Sequence, residues 1–330
     1  LSSIEEVKKS EMTKICLVIG CSGQDGSYLC KSLIKKGFKV IGTSRNNRKK
    51  INHQIIGIEG KIKVYKLNLN KIDEIKNLIQ LIKPDEIYNL SAQSSVGLSY
   101  IQPIETQISI VNATFNLLEA CRVKNFNGVI FCAGSGEMFG ETESPATINC
   151  NIDIRNTYAL AKFQTYEMVK LYREIYNLNA VTGVLFNHES ELRNEQFVSH
   201  KIIKSAIESS QNRKKKFKFG NLDIYRDWGW AEEYVEAIQL IARATKLQDQ
   251  IICTGRATSL KDFLNKTFKL LDLNWQEHIE VDESLQRKND VTRNYGDPQM
   301  LFEIHKWKAK ITIDKIIERL LNQKLKEYSF

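Results

Sequence analysis

The fold is decided by the stretch Lys14-Ile15-Cys16-Leu17-Val18-Ile19-Gly20-Cys21-Ser22-Gly23-Gln24-Asp25-Gly26. Its first part is a short, almost continuous apolar run, which is typical of a strand buried on both faces. The glycines follow directly, and residues 27–36 then place apolar side chains at helical spacing. Strand, glycine turn and helix in this order predict the first unit of a parallel α/β sheet.

The glycine turn is a candidate phosphate site. Gly20, Gly23 and Gly26 permit a tight turn and a close approach of the backbone to a pyrophosphate. The amides and the dipole at the start of the following helix would stabilise the charge of that group. Three glycines at this spacing are a weak signal alone, but the strand before them and the helix after them favour a dinucleotide site.

The end of the second predicted strand, at 38–43, distinguishes between two dinucleotides. An acidic residue there would accept hydrogen bonds from the ribose of NAD, whereas Arg45 can pair with the 2′-phosphate of NADP. NADP is therefore favoured, and NAD is the weaker alternative. Arg48 and Lys49 are either helpers in this contact or solvated loop charges.

Strand and helix patterns alternate along the rest of the first half, which predicts a Rossmann-like, doubly wound parallel sheet with a smaller, mixed C-terminal substrate lobe. The further predicted strands are 61–67, 85–90, 127–132 and 181–186, and the predicted helices are 71–83, 104–123, 231–244 and 313–326. We expect an N-terminal extension at 1–12, a dinucleotide-binding domain at 13–186 to which about 221–256 return, and a lobe at 187–330 that mainly binds substrate.

The stretch 135–162 carries a candidate proton-transfer set. Tyr158 and Lys162 are four residues apart and lie on the same face of a predicted helix. A lysine cation there can lower the pKa of the phenol and turn Tyr158 into a base near neutral pH. Ser135 and Glu137 follow the fifth predicted strand, at the edge where such sheets bind ligands. The alternative is an ordinary surface helix, because Tyr-x-x-x-Lys is common by chance.

Two loops combine small or charged residues with glycine. Residues 91–97 are either a ligand loop after the fourth strand or a simple polar connection. In residues 220–230, Arg226 either clamps a diphosphate or pairs locally with Asp223 or Asp227.

The composition limits the class of protein. With 330 residues and 42% hydrophobic content, the chain can bury a large core. It contains no apolar run of transmembrane length and no signal-peptide pattern, so we expect a soluble cytoplasmic protein with residues 1–11 as an extension before Met12. The seven cysteines form no C-x-x-C pair, which argues against a zinc site and a disulfide framework. The net charge of +9 is dispersed, and its two dense runs, at 48–50 and 213–216, are typical of solvated loops rather than of a nucleic-acid site. An anionic small molecule would also suit a basic cleft.

These segments together resemble the extended short-chain dehydrogenase/reductase superfamily and, within it, the GDP-mannose 4,6-dehydratase family. The resemblance spans about residues 14–310. The motifs that carry it are Gly23-Gln24-Asp25-Gly26-Ser27-Tyr28-Leu29, Ala92-Gln93-Ser94 with Val96-Gly97, Tyr158-Ala159 with Ala161-Lys162, Leu185-Phe186-Asn187-His188-Glu189-Ser190, and Gly220-Asn221-Leu222-Asp223 with Arg226-Asp227-Trp228-Gly229.

The resemblance implies a lyase that acts on a GDP-hexose. Tyr158, aided by Lys162, would remove the proton from the hexose O4 while hydride leaves C4 for NADP⁺, and Ser135 would hydrogen-bond that oxygen. Glu137 would take the C5 proton, water would leave C6, and the hydride would return to C6. The resemblance also implies a homodimer or a homotetramer, with no membrane and no nucleic acid as partner.

The resemblance assigns binding residues as well. The implied cofactor-binding residues are Gly20, Gly23, Gln24, Asp25, Gly26, Arg45, Asn68, Leu69, Leu90, Ala92, Tyr158, Lys162 and His188. The implied substrate-binding residues are Ser94, Asn187, Lys201, Arg226, Arg287 and Asp290. No metal is implied.

The chain departs from the family pattern at several positions. Gly136 stands where the family commonly has Ser, so one hydroxyl is missing between Ser135 and Glu137. The loop at 191–196 has lost an arginine. The other departures are Asn68 in place of an Asp that meets the adenine, Asp290 in place of a Glu, and Lys288 in place of a Pro.

Two alternatives stay open at this point. One is an NADPH-dependent 4-keto-sugar-nucleotide reductase or epimerase of the same superfamily, against which the later motifs argue. The other is a non-catalytic dinucleotide-binding sensor, which the presence of both Tyr158 and Lys162 disfavours.

Overall fold

The computed structural model describes residues 13–45, 51–287 and 289–328. The expected N-terminal extension at 1–12, the candidate helpers Arg48 and Lys49, and Lys288 therefore lie outside the described residues.

Strands and helices alternate through the first half of the chain. The strands are β1 (Ile15–Ile19), β2 (Lys39–Ser44), β3 (Lys63–Lys66), β4 (Glu86–Asn89), β5 (Val129–Ser135), β6 (Ala180–Leu185), β7 (Asn187–Glu189), β8 (Phe217–Phe219), β9 (Tyr225–Trp230), β10 (Gln250–Ile252), β11 (Ala257–Ser259), β12 (Ile279–Val281) and β13 (Arg293–Asn294). The helices are α1 (Gln24–Lys35), α2 (Ile51–Ile55), α3 (Ile72–Ile82), α4 (Val96–Ile101), α5 (Pro103–Gln107), α6 (Ala113–Val123), α7 (Thr157–Tyr176), α8 (Val198–Gln211), α9 (Ala231–Ala242), α10 (Leu260–Lys269), α11 (Gln299–His305) and α12 (Ile313–Tyr328).

The main sheet has seven strands in the order β10-β6-β5-β4-β1-β2-β3, and each neighbouring pair is parallel. The strand order reverses between β1 and β4, so the loops after these two strands flank a crevice in which such sheets bind ligands. The predicted doubly wound parallel sheet is confirmed.

The apolar run of β1 is buried on both faces of this sheet. Cys16 and Val18 pack in a core with residues of α1 and α9, whereas Leu17 and Ile19 pack in a second core with residues of α3 and α6. Successive side chains of a strand point to opposite faces, so a strand between two helical layers has no polar face. This is why the run is continuous rather than alternating.

The later chain builds a smaller mixed part. Strands β7, β9, β11 and β13 form a second sheet with parallel and antiparallel pairs, and β8 pairs with β12. Helices α8, α10 and α12 share a core with these strands. Helix α9 packs on the main sheet, and β10 pairs with β6 to form one edge of that sheet. The domain boundaries at 12, 186 and 256 stay a prediction.

The predicted single helix at 104–123 is wrong in detail. Helix α5 begins at Pro103, a π-helical turn occupies Ile108–Asn112, and α6 continues from Ala113. One extra residue in one turn hardly changes the apolar spacing over this length, so periodicity does not reveal it. Helix α4 was also not predicted, and Ser95 caps it by accepting a hydrogen bond from the Leu98 amide at 3.2 Å. Across the described residues, every helix falls short of the combined length and apolarity that a membrane span requires.

Candidate active site

The turn between β1 and α1 has the shape of a phosphate cradle. Gly20 has a φ of +85°, and a Cβ there would lie 2.9 Å from the Ser91 amide nitrogen in the loop after β4. A Cβ on Gly26 would lie 2.2 Å from the Gly20 carbonyl oxygen. Side chains are thus excluded where the backbone must approach a ligand, and α1 presents its first amides at Gln24. These residues fit the pyrophosphate of a dinucleotide.

Side chains of helix α2 contact backbone carbonyls of the glycine turn, and the sequence analysis did not predict these contacts. The buried His53 ring places Nε2 2.7 Å from the Cys21 carbonyl oxygen, and Asn52 donates to the Ser22 carbonyl at 2.9 Å. Ser27 also donates to the Cys21 carbonyl, at 3.1 Å. The side chains that fix the turn come from about thirty residues further along, and no local sequence signal indicates them.

The start of α1 is joined to the end of β7 by a polar cluster. Asp25 Oδ1 lies 2.9 Å from His188 Nε2, and Gln24 donates to the His188 carbonyl at 3.2 Å. Ser190 in turn donates to Gln24 Oε1 at 2.8 Å. Burial alone would raise the pKa of Asp25, but the ion pair and hydrogen bond with His188 hold it below its usual value. The structure therefore brings together three predicted cofactor residues, Gln24, Asp25 and His188.

Tyr158 and Lys162 lie on the first turns of α7 and are both buried. Lys162 Nζ donates to the Ala133 carbonyl of β5 at 2.8 Å and lies 5.9 Å from the centre of the Tyr158 ring. Burial lowers the pKa of Lys162 to about 8.

The expected lowering of the phenol pKa by the lysine is wrong. Burial raises the pKa of Tyr158 to about 12, which outweighs the lowering effect of its hydrogen bond with Ser135. The nearby Glu137 charge raises it further. Desolvation dominates because the neutral phenol is favoured wherever water is excluded.

Ser135 ends β5, and Glu137 follows on the 3₁₀ turn Gly136–Phe139. Ser135 Oγ accepts from the Glu137 amide at 3.3 Å and is hydrogen-bonded to the Tyr158 side chain. The buried Asn294 of β13 donates to the carbonyls of Gly136 and Gly140, at 3.0 and 2.9 Å, and so fixes both ends of the turn. All four predicted catalytic residues meet at the carboxyl edge of the main sheet.

Asn156 adds a contact to this set that the sequence analysis did not single out. Its Nδ2 donates to Glu137 Oε2 at 3.4 Å, while its Oδ1 accepts from the Ala159 amide at 2.7 Å at the start of α7. An Asn directly before a helical pattern is an N-cap signal, so its place was readable from the sequence, but its reach to Glu137 was not.

Two predicted substrate residues form an ion pair. The buried Arg226 places Nη2 3.7 Å from Asp290 Oδ1, and its Nη1 donates to the Tyr225 carbonyl at 2.9 Å. Neither local partner considered from the sequence is used, because Asp223 pairs with Lys261 and Asp227 accepts bonds from Thr254 and Gly255.

The Arg226–Asp290 pair lies near the turn Gly136–Phe139, because Asn294, which pairs in register with Arg226, donates to the Gly136 carbonyl. The pKa of Tyr100 is raised by partial burial and by the charges of Asp290 and Glu137, and lowered by that of Arg287. The charges of Arg287, Asp290 and Glu137 therefore all act on one phenol. Arg287 also approaches α4, where its Nη2 lies 4.0 Å from the position of a Cβ on Gly97.

The remaining predicted site residues occupy varied positions. Lys201 is half-buried, donates to the Lys218 carbonyl at 2.6 Å and lies over the Phe219 ring, and burial lowers its pKa.

Asn187 pairs in register with Trp228, and Ala92 packs near Tyr158. Arg45, Asn68 and Ser94 are exposed, whereas Leu69 and Leu90 are half-buried. Asn68 Oδ1 accepts from the Asn70 amide at 3.0 Å.

Known proteins match this chain over most of its length. The family model described as GDP-mannose 4,6 dehydratase matches residues 17–320. GDP-mannose 4,6 dehydratase 1 of Arabidopsis thaliana is 35% identical over 94% of this chain and 90% of the relative, and the Homo sapiens enzyme is 32% identical over 93% and 90%. The structure of dTDP-glucose 4,6-dehydratase from Bacillus anthracis in complex with NAD is similar in fold, with a TM-score of 0.84, 15% identity, and coverage of 96% of this chain and 98% of that one.

The family match spans residues 17–320 and so includes the glycine turn and the turn at Gly136–Phe139, and the match to the Arabidopsis relative covers 94% of this chain. The resemblance stated from the motifs is therefore confirmed. This chain belongs to the GDP-mannose 4,6-dehydratase family.

Proposed function

We propose that this chain converts GDP-mannose, or a close GDP-hexose, to the GDP-4-keto-6-deoxy sugar. The observation that carries the proposal is the meeting of Ser135, Glu137 and Tyr158 at one edge of the main sheet, next to the glycine turn. Tyr158 supplies a proton-transfer group for C4, and Glu137 supplies a second one for C5. A reductase has no step that needs the carboxylate.

The proposed reaction removes two protons, one from O4 and one from the neighbouring carbon C5. Tyr158 takes the proton of the sugar O4, while Ser135 hydrogen-bonds the same oxygen. A dinucleotide held by the turn from Gly20 to Gly26 and by Asp25 and His188 would supply the reversible two-electron redox chemistry that connects C4 and C6. The C4 ketone acidifies C5, and Glu137 takes that proton and passes it to the departing C6 hydroxyl, which leaves as water. C5 regains a proton as C6 is reduced, and this proton balances the one that Tyr158 takes from O4 and releases, so the sum is the loss of one water with no net oxidation.

We propose NADP rather than NAD as the dinucleotide. Arg45 is exposed and directly follows β2. The sequence at 44–47 contains no acidic residue that would bind the ribose hydroxyls of NAD. The proposed cofactor set is the turn from Gly20 to Gly26 with Arg45, Asn68, Leu69, Leu90, Ala92 and His188. Arg45→Ala should raise the KM for NADP and leave that for NAD almost unchanged, and equal effects on both would contradict the choice.

The nucleotide sugar would lie along the charged groups that extend from Glu137. We assign Arg226 and Arg287 to the diphosphate, because guanidinium groups bind phosphate oxygens in a bidentate manner. Ser94, Asn187, Lys201 and Asp290 complete the proposed substrate set. The ion pair with Asp290 orients the Arg226 guanidinium.

We propose a homodimer or homotetramer that works in the cytoplasm. Large apolar side chains remain exposed on the packed helices α6 and α7, among them Phe115, Leu171 and Ile175 at 46%, 47% and 61% exposure. A second copy would cover such a face. The seven cysteines are free thiols, as is usual where thiols stay reduced. Light scattering of the wild type and of Ile175→Glu tests the assembly, and a monomeric wild type would contradict it.

The decisive experiment supplies GDP-mannose with only a catalytic amount of NADP. We expect many turnovers to a 4-keto product, with no net change in NADPH. Steady oxidation of added NADPH with a 4-keto sugar nucleotide, and no product from GDP-mannose, would identify a reductase instead. The same assay with CDP-, UDP- and dTDP-hexoses sets the nucleotide preference.

A further inference from the structure

Asn156 makes one contact with each half of the proposed proton-transfer machinery. Its Oδ1 accepts from the Ala159 amide at 2.7 Å and thereby caps α7, the helix that carries Tyr158. Its Nδ2 donates to Glu137 Oε2 at 3.4 Å. The backbone of Asn156 is extended, with φ −155° and ψ 165°, as expected for an N-cap residue. One side chain thus bridges the helix of one base to the carboxylate of the other.

The main chain around Glu137 is fixed by other groups. Ser135 Oγ holds the Glu137 amide, and Asn294 holds the carbonyls on either side of the turn. These bonds leave the carboxylate itself free to rotate about its side-chain torsions. The hydrogen bond from Asn156 engages one carboxylate oxygen and so restricts this rotation.

The hydrogen bond between Asn156 and Glu137 is long. At 3.4 Å it is longer than the usual amide–carboxylate distance, so it contributes little to stability. Hydrogen bonds of catalytic groups are often long in the free enzyme and tighten in the complex with substrate. Both Asn156 and Glu137 are half-buried, so a sugar ring that covers them would remove competing water.

We propose that Asn156 is a positioning residue for the removal of the C5 proton. By joining Glu137 to the first turn of α7, it holds the carboxylate and the Tyr158 phenol in register with two adjacent carbons of one ring. This role rests on the proposed function, since only a dehydratase needs both groups on neighbouring carbons. It does not require Asn156 to touch the substrate.

Three substitutions separate positioning from helix capping. Asn156→Ser and Asn156→Asp keep an N-cap oxygen, but neither has an amide donor that reaches Glu137. Asn156→Ala removes both the cap and the donor. If Asn156 only caps α7, the Ser and Asp variants match the wild type, and only the Ala variant has a lower melting temperature and lower activity.

We expect instead that all three variants lose about 10–100-fold in the elimination step, as for other misplaced catalytic groups. C4 oxidation should continue, so reduced nicotinamide builds up on the enzyme in a single-turnover experiment and exchange of the C5 hydrogen with deuterated water slows. The Ser and Asp variants should melt within a few degrees of the wild type.

The outcomes distinguish this inference from the proposed function. Wild-type rates of elimination and C5 exchange in Asn156→Ser would overturn the positioning role and leave the dehydratase assignment intact. A parallel loss of C4 oxidation and elimination would also overturn it, because the defect would then be general. A wild-type chain that eliminates no water from any GDP-hexose would overturn the proposed function, and the role of Asn156 with it.

Discussion

The ring of Phe186 occupies the space that a side chain at position 136 would need. A Cβ built on Gly136 lies 2.8 Å from Phe186 Cε1 and Cζ, closer than real Cβ contacts come. The phenyl ring is itself buried and stacked on Phe139 at 6.3 Å, so it has little room to withdraw. The packing of Phe186 therefore leaves no room for a side chain, and hence for a hydroxyl, between Ser135 and Glu137.

Restoring a side chain at this position should be costly. We expect Gly136→Ser to lower the free energy of unfolding by about 1–3 kcal/mol, as overpacked core substitutions do. Combining it with Phe186→Leu should recover part of that loss, since the smaller side chain makes room. Chemical denaturation of the two single variants and the double variant measures the coupling, and strict additivity would show that the ring is not the obstacle.

Tyr158→Phe tests the phenol. We expect turnover of GDP-mannose to fall by about 10²–10⁴-fold, because a positioned proton-transfer group contributes that much. The fold should persist, since only the hydroxyl and its bond with Ser135 are lost. Steady-state rates beside a circular dichroism spectrum provide the check. Unchanged turnover would exclude Tyr158 as the base.

Glu137→Gln tests the second carbon separately. The amide cannot take a proton, so elimination of water should fall by about 10²–10⁴-fold while C4 oxidation continues. Reduced nicotinamide should then accumulate on the enzyme after substrate is added. Elimination at the wild-type rate would exclude Glu137 as the base for C5, whereas loss of both steps would point to misfolding or poor binding.

The depressed pKa of Lys162 makes the stability of the folded chain depend on pH. Burial depresses the pKa of Lys162 from 10.5 to about 8 in the folded chain. Between these two values the unfolded chain holds a proton that the folded chain lacks, so the free energy of unfolding rises with pH across this window and is lowest below it. Relative to Lys162→Met, the cofactor-free wild type should gain about 3 kcal/mol in total. Denaturation of both proteins at several pH values tests this, and a constant difference would contradict it.

His53 should matter for dinucleotide binding rather than for chemistry. His53→Leu removes the group that holds the Cys21 carbonyl, so the cradle turn loses a support. We expect weaker binding of the dinucleotide by about 10-fold or more, roughly the cost of one hydrogen bond to a buried carbonyl. Titration calorimetry with NADP measures it, with saturating cofactor as the control in which the rate returns toward that of the wild type. Equal affinity would assign His53 to packing alone.

The sequence predicted those parts of the molecule that depend on local pattern. The apolar run at Ile15–Ile19 and the glycines after it indicate a buried strand and a phosphate turn, because burial on two faces and exclusion of Cβ atoms leave a direct trace in composition. Tyr158 and Lys162 share a helix, so their proximity followed from spacing. The family resemblance then supplied roles that spacing could not.

What the sequence could not show were relations between distant segments. The pKa of Tyr158 depends on how completely the fold excludes water, which no spacing rule reports. His53 reaches the cradle turn from α2, and Asp290 reaches Arg226 across more than sixty residues. The π-helical turn at Ile108–Asn112 left the apolar period intact and so gave no warning.

The hydrogen bonds from Asn294 to the Gly136 and Gly140 carbonyls connect the turn that carries Glu137 to the proposed nucleotide site. Asn294 belongs to β13, which pairs with β9 beside Arg226, the residue assigned to the diphosphate. Binding of the nucleotide diphosphate at Arg226 can therefore help to fix the Glu137 carboxylate, although this carboxylate does not contact the nucleotide. A truncated substrate such as mannose 1-phosphate should accordingly be a slow substrate even at saturation, with its loss in kcat as well as in KM.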